Sequence, residues 1–150
     1  MQAQNITVSS GKSFTVEKTG SVQLYGNLTN NGTFTLNSDA NEFSSIIVDS
    51  DNNGSGSSTG NIDYNRYVNA VGANEWDLIG SPLDAVSIST FASTNTAGTA
   101  TLATNGSSPT TYAIGAYNNA NDTWTNYTTS TVGAAGNFDI GKGYQMASVS

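Results

Sequence analysis

The feature that most constrains this chain is a two-residue alternation of apolar side chains between residues 5 and 48. The apolar residues come in pairs two positions apart: Ile6 and Val8, Phe14 and Val16, Val22 and Leu24, Phe34 and Leu36, and Ile46 and Val48. Successive side chains of an extended strand point to opposite faces, so a period of two predicts strands with one buried face. The separators carry the Gly and Asn that turns require, which makes the predicted strands short.

Two architectures fit this rhythm of short strand and short turn. One is an antiparallel β-meander, with Asn31-Gly32 as a two-residue hairpin turn. The other is a short β-solenoid, in which each strand stacks on its equivalent in the next coil. We favour the solenoid because the segments SGKSFTV, TGSVQLY and NGTFTL read as one repeated phrase. The meander remains open.

The remainder of the chain predicts a second all-β part. Residues 49–61 form a loop rich in Asp, Asn, Gly and Ser, because they contain no residue to bury. Residues 62–150 predict a β-sandwich-like part with Trp76, Phe138 and Tyr144 in its core. In EWDLIG, alternation places Trp76 on the buried face and Asp77 in solvent. The segment LDAVSISTFAST is compatible with one or two helical turns.

The end of the chain carries two further expectations. The sequence stops just after a strand-like run, so we interpret it as a truncated module. A sheet that ended there would leave an open edge, through which the protein could self-associate.

Charge and residue types exclude several function classes. Four Lys and Arg stand against eleven Asp and Glu, and the net charge of −7 would repel nucleic-acid phosphate. The chain has no Cys and no His, which removes disulfides, thiolate metal sites and the commonest general base. No apolar run approaches the length of a membrane span. We therefore expect a protein that is not an enzyme, binds no nucleic acid and does not insert into a membrane.

A family resemblance rests on the order of several motifs. GNLTNNGT, YNRYV, EWDLIGSPL and GKGY occur in this order along the chain. The combination resembles a recurrent region of large secreted proteins of Bacteroidota, flavobacteria especially, which lies ahead of a type IX secretion sorting domain. The resemblance implies an extracellular or cell-surface location, often in adhesin-like proteins or beside polysaccharide-degrading modules. It assigns no catalytic residue.

A calcium site is one hypothesis for the first loop. Asp49, Asp51 and Asn53, followed by Gly54, fit the opening D-x-[DN]-x-[DN]-G of a calcium loop, in which alternate oxygens converge on the ion. The twelfth position is Gly60 where a bidentate Glu is needed, and Asp63 could act from the next strand. The same residues are common turn formers, so a solvated turn with no cofactor is the competing and favoured interpretation.

A glycan-binding cluster is the second hypothesis. Sugar rings stack on exposed aromatic rings, while neighbouring amides and carboxylates bond their hydroxyl groups. The cluster that fits consists of Tyr117, Asp122, Trp124, Asn126 and Tyr127, with Asn118 nearby. Alternation puts Trp124 and Tyr127 on opposite faces, so one of the two belongs to the core.

Two weaker candidates remain in the sequence. Glu75 with Asp77, or either of them with Asp84, resembles a glycosidase carboxylate pair, but adjacent outward positions on one strand are more often solvated. Lys142 within GKGY lacks the rest of a phosphate-binding loop, and its glycines are better explained by a bulge or bend.

The sequence as a whole predicts an extracellular structural or adhesin-type module. A carbohydrate-binding module is the alternative, with a polysaccharide or another cell-surface component as the partner.

Overall fold

The structure is a computed structural model that describes residues 2–48, 56–72, 76–81, 85–96 and 102–149. The chain is all-β, as predicted, and it divides into two units, Met1–Tyr67 and Val68–Ser150. The predicted second part began at residue 62, six residues before this division. Each unit is described by itself below.

The N-terminal unit consists of short strands that pair only in parallel with one another. The described strands are β1 (Gln2–Ala3), β2 (Ile6–Val8), β3 (Ser13–Val16), β4 (Ser21–Leu24), β5 (Leu28–Asn30), β6 (Thr33–Leu36), β7 (Ser45–Val48), β8 (Ser58–Thr59) and β9 (Asp63–Tyr64). They form three sheets, in the orders β1-β4-β7, β2-β5-β8 and β3-β6-β9.

Each of the strands β1 to β6 therefore pairs with the strand three places further along the chain. Phe14 lies opposite Phe34, for example, and Val22 lies opposite Ile46. This pairing is expected of stacked coils, and it excludes an antiparallel meander among the described strands. The eight-residue rhythm of the sequence is thus the spacing between successive strands of one coil. Asn31-Gly32 joins β5 to β6 at a corner, not across a hairpin.

The core of the N-terminal unit consists of the predicted pairs. Buried in it are Val8, Val16, Val22, Leu24, Leu28, Phe34 and Leu36, and packed against them are Ile6, Phe14, Ile46, Val48, Ile62 and Tyr64. The rings of Phe14 and Phe34 stack with their centroids 5.0 Å apart. The prediction of which side chains point inward is confirmed at all five pairs.

Side-chain amides connect one coil to the next. The backbone N–H of Asn27 donates to Oδ1 of Asn5 at 2.7 Å, and that of Ser57 donates to Oδ1 of Asn27 at 3.1 Å. At another corner, Nδ2 of Asn65 donates to Oδ1 of Asn37 at 3.1 Å. These bonds satisfy polar groups at the turns where the strand ladders stop.

The corner at Gly32 shows how closely the coils approach. A Cβ atom at this position would lie 2.2 Å from the carbonyl oxygen of Lys12 and 2.5 Å from that of Ser9, so only glycine fits. Beside it, buried Asn30 accepts a hydrogen bond from the N–H of Gly32 at 3.1 Å and donates to the carbonyl of Asn61.

The predicted loop 49–61 is only partly described. Residues 49–55 lie outside the described residues. After them, β8 pairs in parallel with β5, and Leu28 lies opposite Ser58. The end of the predicted loop is therefore a strand of the third coil, although both side chains of β8 are exposed. The sequence signal failed because β8 contributes backbone pairing and no apolar side chain.

The described part of the C-terminal unit forms one antiparallel sheet and two short helices. The strands are β10 (Asp77–Gly80), β11 (Thr111–Asn118), β12 (Thr123–Thr128) and β13 (Gly143–Met146), in the order β10-β13-β11-β12. The helices are α1 (Ile88–Thr94) and a 3₁₀ helix at Val132–Ala134. No helix in the described residues is long and apolar enough to cross a membrane. The last strand, β13, pairs with both β10 and β11, so the expectation that the final strand is an edge is wrong. Self-association through a sheet edge stays a prediction.

Helix α1 begins at Ser87, whose Oγ accepts a hydrogen bond from the N–H of Thr90 at 3.3 Å. Its buried residues Ile88 and Ala92 pack against one face of the sheet. The rest of this core is Leu102, Ile114, Val132, Phe138, Tyr144 and Met146, which confirms the prediction for Phe138 and Tyr144. Among the described residues a helix covers this face, where the sandwich prediction placed a second sheet.

Trp76 is not a core residue, so that prediction is wrong. Its side chain is 37% exposed, and that of Leu78 is 70% exposed. Asp77 and Ile79 occupy the inward positions, opposite Met146 and Tyr144. The carboxylate of Asp77 is satisfied there, since it accepts hydrogen bonds from the backbone N–H of Asn69 at 2.6 Å and from its Nδ2 at 3.0 Å. The face assignment is therefore shifted by one residue, and strand alternation alone cannot detect such a shift.

Candidate functional site

The candidate site lies on the face of the four-stranded sheet that α1 does not cover, here called the outer face. Ile114, Tyr144 and Met146 point into the core, so their strand neighbours point away from it. The register places the outer-face residues in two rows. One row is Leu78, Gln145, Gly115 and Asn126; the other holds the paired glycines Gly80 and Gly143 and the paired aromatics Tyr117 and Trp124.

The aromatic pair Tyr117–Trp124 stands at the end of the β11–β12 hairpin. The two residues are register partners, which brings their ring centroids to 5.2 Å with an angle of 58° between the planes. Their side chains are 39% and 38% exposed. They line a cleft of about 330 Å³ together with Asn119, Lys142 and Gly143.

The turn of this hairpin holds Tyr117 in place. The hydroxyl of Tyr117 donates to Oδ1 of Asp122 at 3.0 Å. Asp122 has a positive φ of 54°, which Asp adopts more readily than most residues. Asn118, also in the turn, accepts a hydrogen bond from the N–H of Ala120 at 2.9 Å. Asp122 therefore orients the ring, while Asn118 stabilises the turn.

Lys142 supplies the positive charge of the cleft. Its Nζ lies 3.2 Å from Oδ2 of Asp139, and this hydrogen bond raises the pKa of Lys142 above its usual value. The ammonium group is therefore charged at neutral pH. Lys142 is also the only Lys or Arg between residues 68 and 150. The sequence gives no reason to place Lys142 beside Tyr117 and Trp124, because the GKGY motif lies outside the hairpin that holds these two aromatic residues.

The other predicted glycan-binding residues separate by face. Tyr127 packs against the buried core, and this burial raises the pKa of its phenol. Trp124 and Tyr127 thus lie on opposite faces, as predicted. Asn126 is on the outer face, where its Oδ1 accepts a hydrogen bond of 2.6 Å from Nε2 of Gln145. The bond crosses over Gly115, where a Cβ atom would lie 2.5 Å from the carbonyl oxygen of Thr125.

A second cleft, of about 400 Å³, was not predicted. It contains two aromatic residues, Trp76 and Tyr112, among small apolar and polar ones. Its lining is Val71, Trp76, Ala103, Thr104, Asn105, Thr111, Tyr112, Ala113, Asn126 and Val149. The only sequence signal for this cleft is Trp76, which strand alternation predicts to be a core residue.

The described residues provide no geometric support for the calcium site or for the catalytic carboxylate pair. Asp49, Asp51 and Asn53 lie outside the described residues, as do Glu75 and Asp84. Asp63 is exposed on β9, opposite Thr35. Within the described ranges no group of three or more Asp, Glu, Cys or His side chains is placed to hold a metal ion.

Comparison with known proteins adds no family to this picture. No family model matches the chain, and no curated protein or solved structure matches it either. The geometry of the outer face is therefore the main evidence from which a function can be argued.

Proposed function

We propose that this chain is a non-enzymatic, extracellular adhesin-type module whose C-terminal unit binds carbohydrate at Tyr117 and Trp124. The observation that carries the proposal is the exposed aromatic pair beside a cleft. Tyr117 and Trp124 are each more than a third exposed, and adjacent aromatic rings at the surface give a ligand an apolar face on which to stack.

The chemistry of the cleft suits a sugar ring. The C–H face of a sugar can stack on the Trp124 indole, while Asn119 and Asp122 offer groups for its hydroxyls. Lys142 adds a charged donor at the rim. The aromatic side chains have few rotatable bonds, and Asp122 already restrains one of them, so binding would cost little conformational entropy.

The N-terminal unit supports the structural half of the proposal. The five apolar pairs of this unit are directed into its own core, and its outward side chains include Thr7, Thr29 and Thr59 in one row. Such a unit is suited to spacing a binding unit from its point of attachment. The extracellular location rests on the composition and on the resemblance to Bacteroidota surface proteins.

Affinity electrophoresis tests the carbohydrate proposal. The full chain is run through gels that contain soluble xylan, mixed-linkage β-glucan or alginate. We expect retardation by at least one polymer, and about tenfold weaker binding by Trp124→Ala, since a lost stacking contact is worth about 1.4 kcal/mol. Trp124→Phe should keep most of the affinity because it keeps a ring.

Ile140→Ala is the matched control. Ile140 is exposed and lines neither cleft, so this variant loses apolar surface without touching the aromatic pair. Equal retardation of wild type and Trp124→Ala would contradict the proposed site. If no polymer retards the wild type, carbohydrate binding is wrong and a purely structural spacer is the remaining function.

A further inference from the structure

We infer that the Trp76 cleft is a second sugar subsite, and that the ligand is an extended, largely uncharged polysaccharide chain that lies along the outer face. This inference rests on the proposed carbohydrate function of the Tyr117–Trp124 cleft. It adds the length of the ligand, its direction and a second set of residues.

The two clefts lie on one continuous surface. Tyr117, Gly115 and Ala113 alternate along β11, and Ala113 lines the Trp76 cleft. The N–H of Ala147 donates to the carbonyl of Ala113 at 3.0 Å, which continues the β11–β13 pairing beyond Gly115. Ala113 therefore shares the face of Tyr117. Asn126, two residues from Trp124 on β12, also lines the Trp76 cleft.

The distance between the clefts sets the length of the ligand. Ala113 lies four positions from Tyr117, and a strand rises about 3.3 Å per residue, so these two lining residues are roughly 13 Å apart along β11. One sugar ring cannot contact both. A ligand that uses the aromatic residues at both ends is a chain of several units running along the strands.

The path between the clefts is lined by polar side chains. Gln145 and Asn126 are hydrogen-bonded to each other above Gly115, which is buried. A ligand on this path therefore lies on the two amides, whose remaining donor and acceptor positions can bond its hydroxyl groups.

The charge of the surface selects among polysaccharides. The described outer-face side chains between the clefts are uncharged, and Lys142 and Asp122 lie only at the Tyr117–Trp124 end. The described lining of the Trp76 cleft is uncharged as well. A neutral polymer such as xylan or β-glucan leaves no charge unpaired on this path, whereas each unit of a polyuronate would bury a carboxylate without a partner.

Isothermal titration with a disaccharide and a hexasaccharide of xylan and of β-glucan tests the inference. We expect the wild type to bind the hexasaccharide at least tenfold more tightly than the disaccharide. Trp76→Ala should remove this difference and leave disaccharide binding unchanged. Trp76→Phe should restore the difference, which separates a subsite from a fold defect, and Ile140→Ala should behave as wild type.

The outcomes separate this inference from the proposed function. If the wild type binds both oligosaccharides and Trp76→Ala keeps the preference for the longer one, the second subsite is wrong and the first cleft stands. A wild type retained by alginate alone contradicts the neutral-polymer inference. Failure to bind any of the three polymers contradicts the proposed function and this inference together.

Discussion

The two units of this protein use short strands in different ways. Among the described strands of the N-terminal unit every pair is parallel and links residues about 20 or more positions apart, such as Phe14 and Phe34. The four described strands of the C-terminal unit pair only antiparallel to one another, and α1 covers one face of their sheet. The first arrangement directs the apolar pairs into one core. In the second, the face that α1 does not cover carries the half-exposed pair Tyr117 and Trp124.

This difference teaches where a ligand site can form. The corner of the N-terminal unit at Gly32 is fixed by contact with the neighbouring coil. On the outer face of the C-terminal unit, a Cβ atom at Gly143 would meet no atom within 4 Å. Glycine at Gly32 serves the fold, whereas glycine at Gly143 leaves open space beside the aromatic pair.

The largest expected effect is on the core of the N-terminal unit. Phe34 is 0% exposed, so Phe34→Ala should lower the free energy of unfolding by about 3 to 5 kcal/mol. Phe14→Ala should cost less, because Phe14 is only half-buried. Both Trp residues belong to the C-terminal unit. We therefore expect urea unfolding followed by circular dichroism to shift, while unfolding followed by Trp fluorescence keeps its midpoint. Equal shifts by both probes would show that the units unfold together.

Substitutions of Gly32 and Gly143 compare the two units through stability changes of intermediate size. Gly32→Ala should destabilise the protein by about 2 kcal/mol, since its Cβ would collide with two backbone carbonyls of the neighbouring coil. Gly143→Ala should change stability by less than about 0.5 kcal/mol, or raise it, because the added methyl meets no atom and the unfolded chain loses freedom. Thermal melting of both variants measures this. A larger loss of stability for Gly143→Ala than for Gly32→Ala would contradict the conclusion that Gly32 is required by the fold and Gly143 is not.

The smallest expected effect is the pH dependence of the stability that one ion pair contributes in each unit. Lys18 donates a hydrogen bond to Asp39, which lowers the pKa of Asp39. The stabilisation is therefore present above the usual pKa of about 3.8 and is lost as the pH falls below it. The pKa of Lys142 is raised, so its contribution is present below about pH 10.5 and is lost at higher pH.

Melting temperatures across the pH range check this last prediction. The difference between wild type and Asp39→Asn should shrink in acid, and the difference between wild type and Lys142→Met should shrink in alkali. Both ion pairs are largely exposed, so each difference should be small. A difference that is independent of pH would show that the ion pair contributes no stability.

Parts of the fold and of the site were predictable because they depend on local alternation. The five apolar pairs of the N-terminal unit, the opposite faces of Trp124 and Tyr127, and the burial of Phe138 and Tyr144 all follow from a period of two or from apolar character. The hairpin that joins Tyr117 to Trp124 is also local, because these register partners are only seven positions apart in the sequence.

The predictions failed where the buried face or the pairing of a strand is set by an element far away in the sequence. Alternation shows that Trp76 and Leu78 share a face, but the core side is set by Tyr144 and Met146, which are some seventy residues away and pair with Ile79 and Asp77. Likewise Ser58 and Thr59 have no apolar signal, and only the register of β5 makes them a strand.

The sequence by itself determined the strands that carry apolar alternation, their inward side chains in the first unit and the aromatic residues available for a ligand, because each depends on neighbours within a few positions. The tertiary structure decided the parallel pairing of the coils, the face on which Trp76 lies and the placing of two aromatic clefts on one surface. The physical reason is that alternation fixes which residues share a face, whereas long-range packing and pairing fix which face is covered.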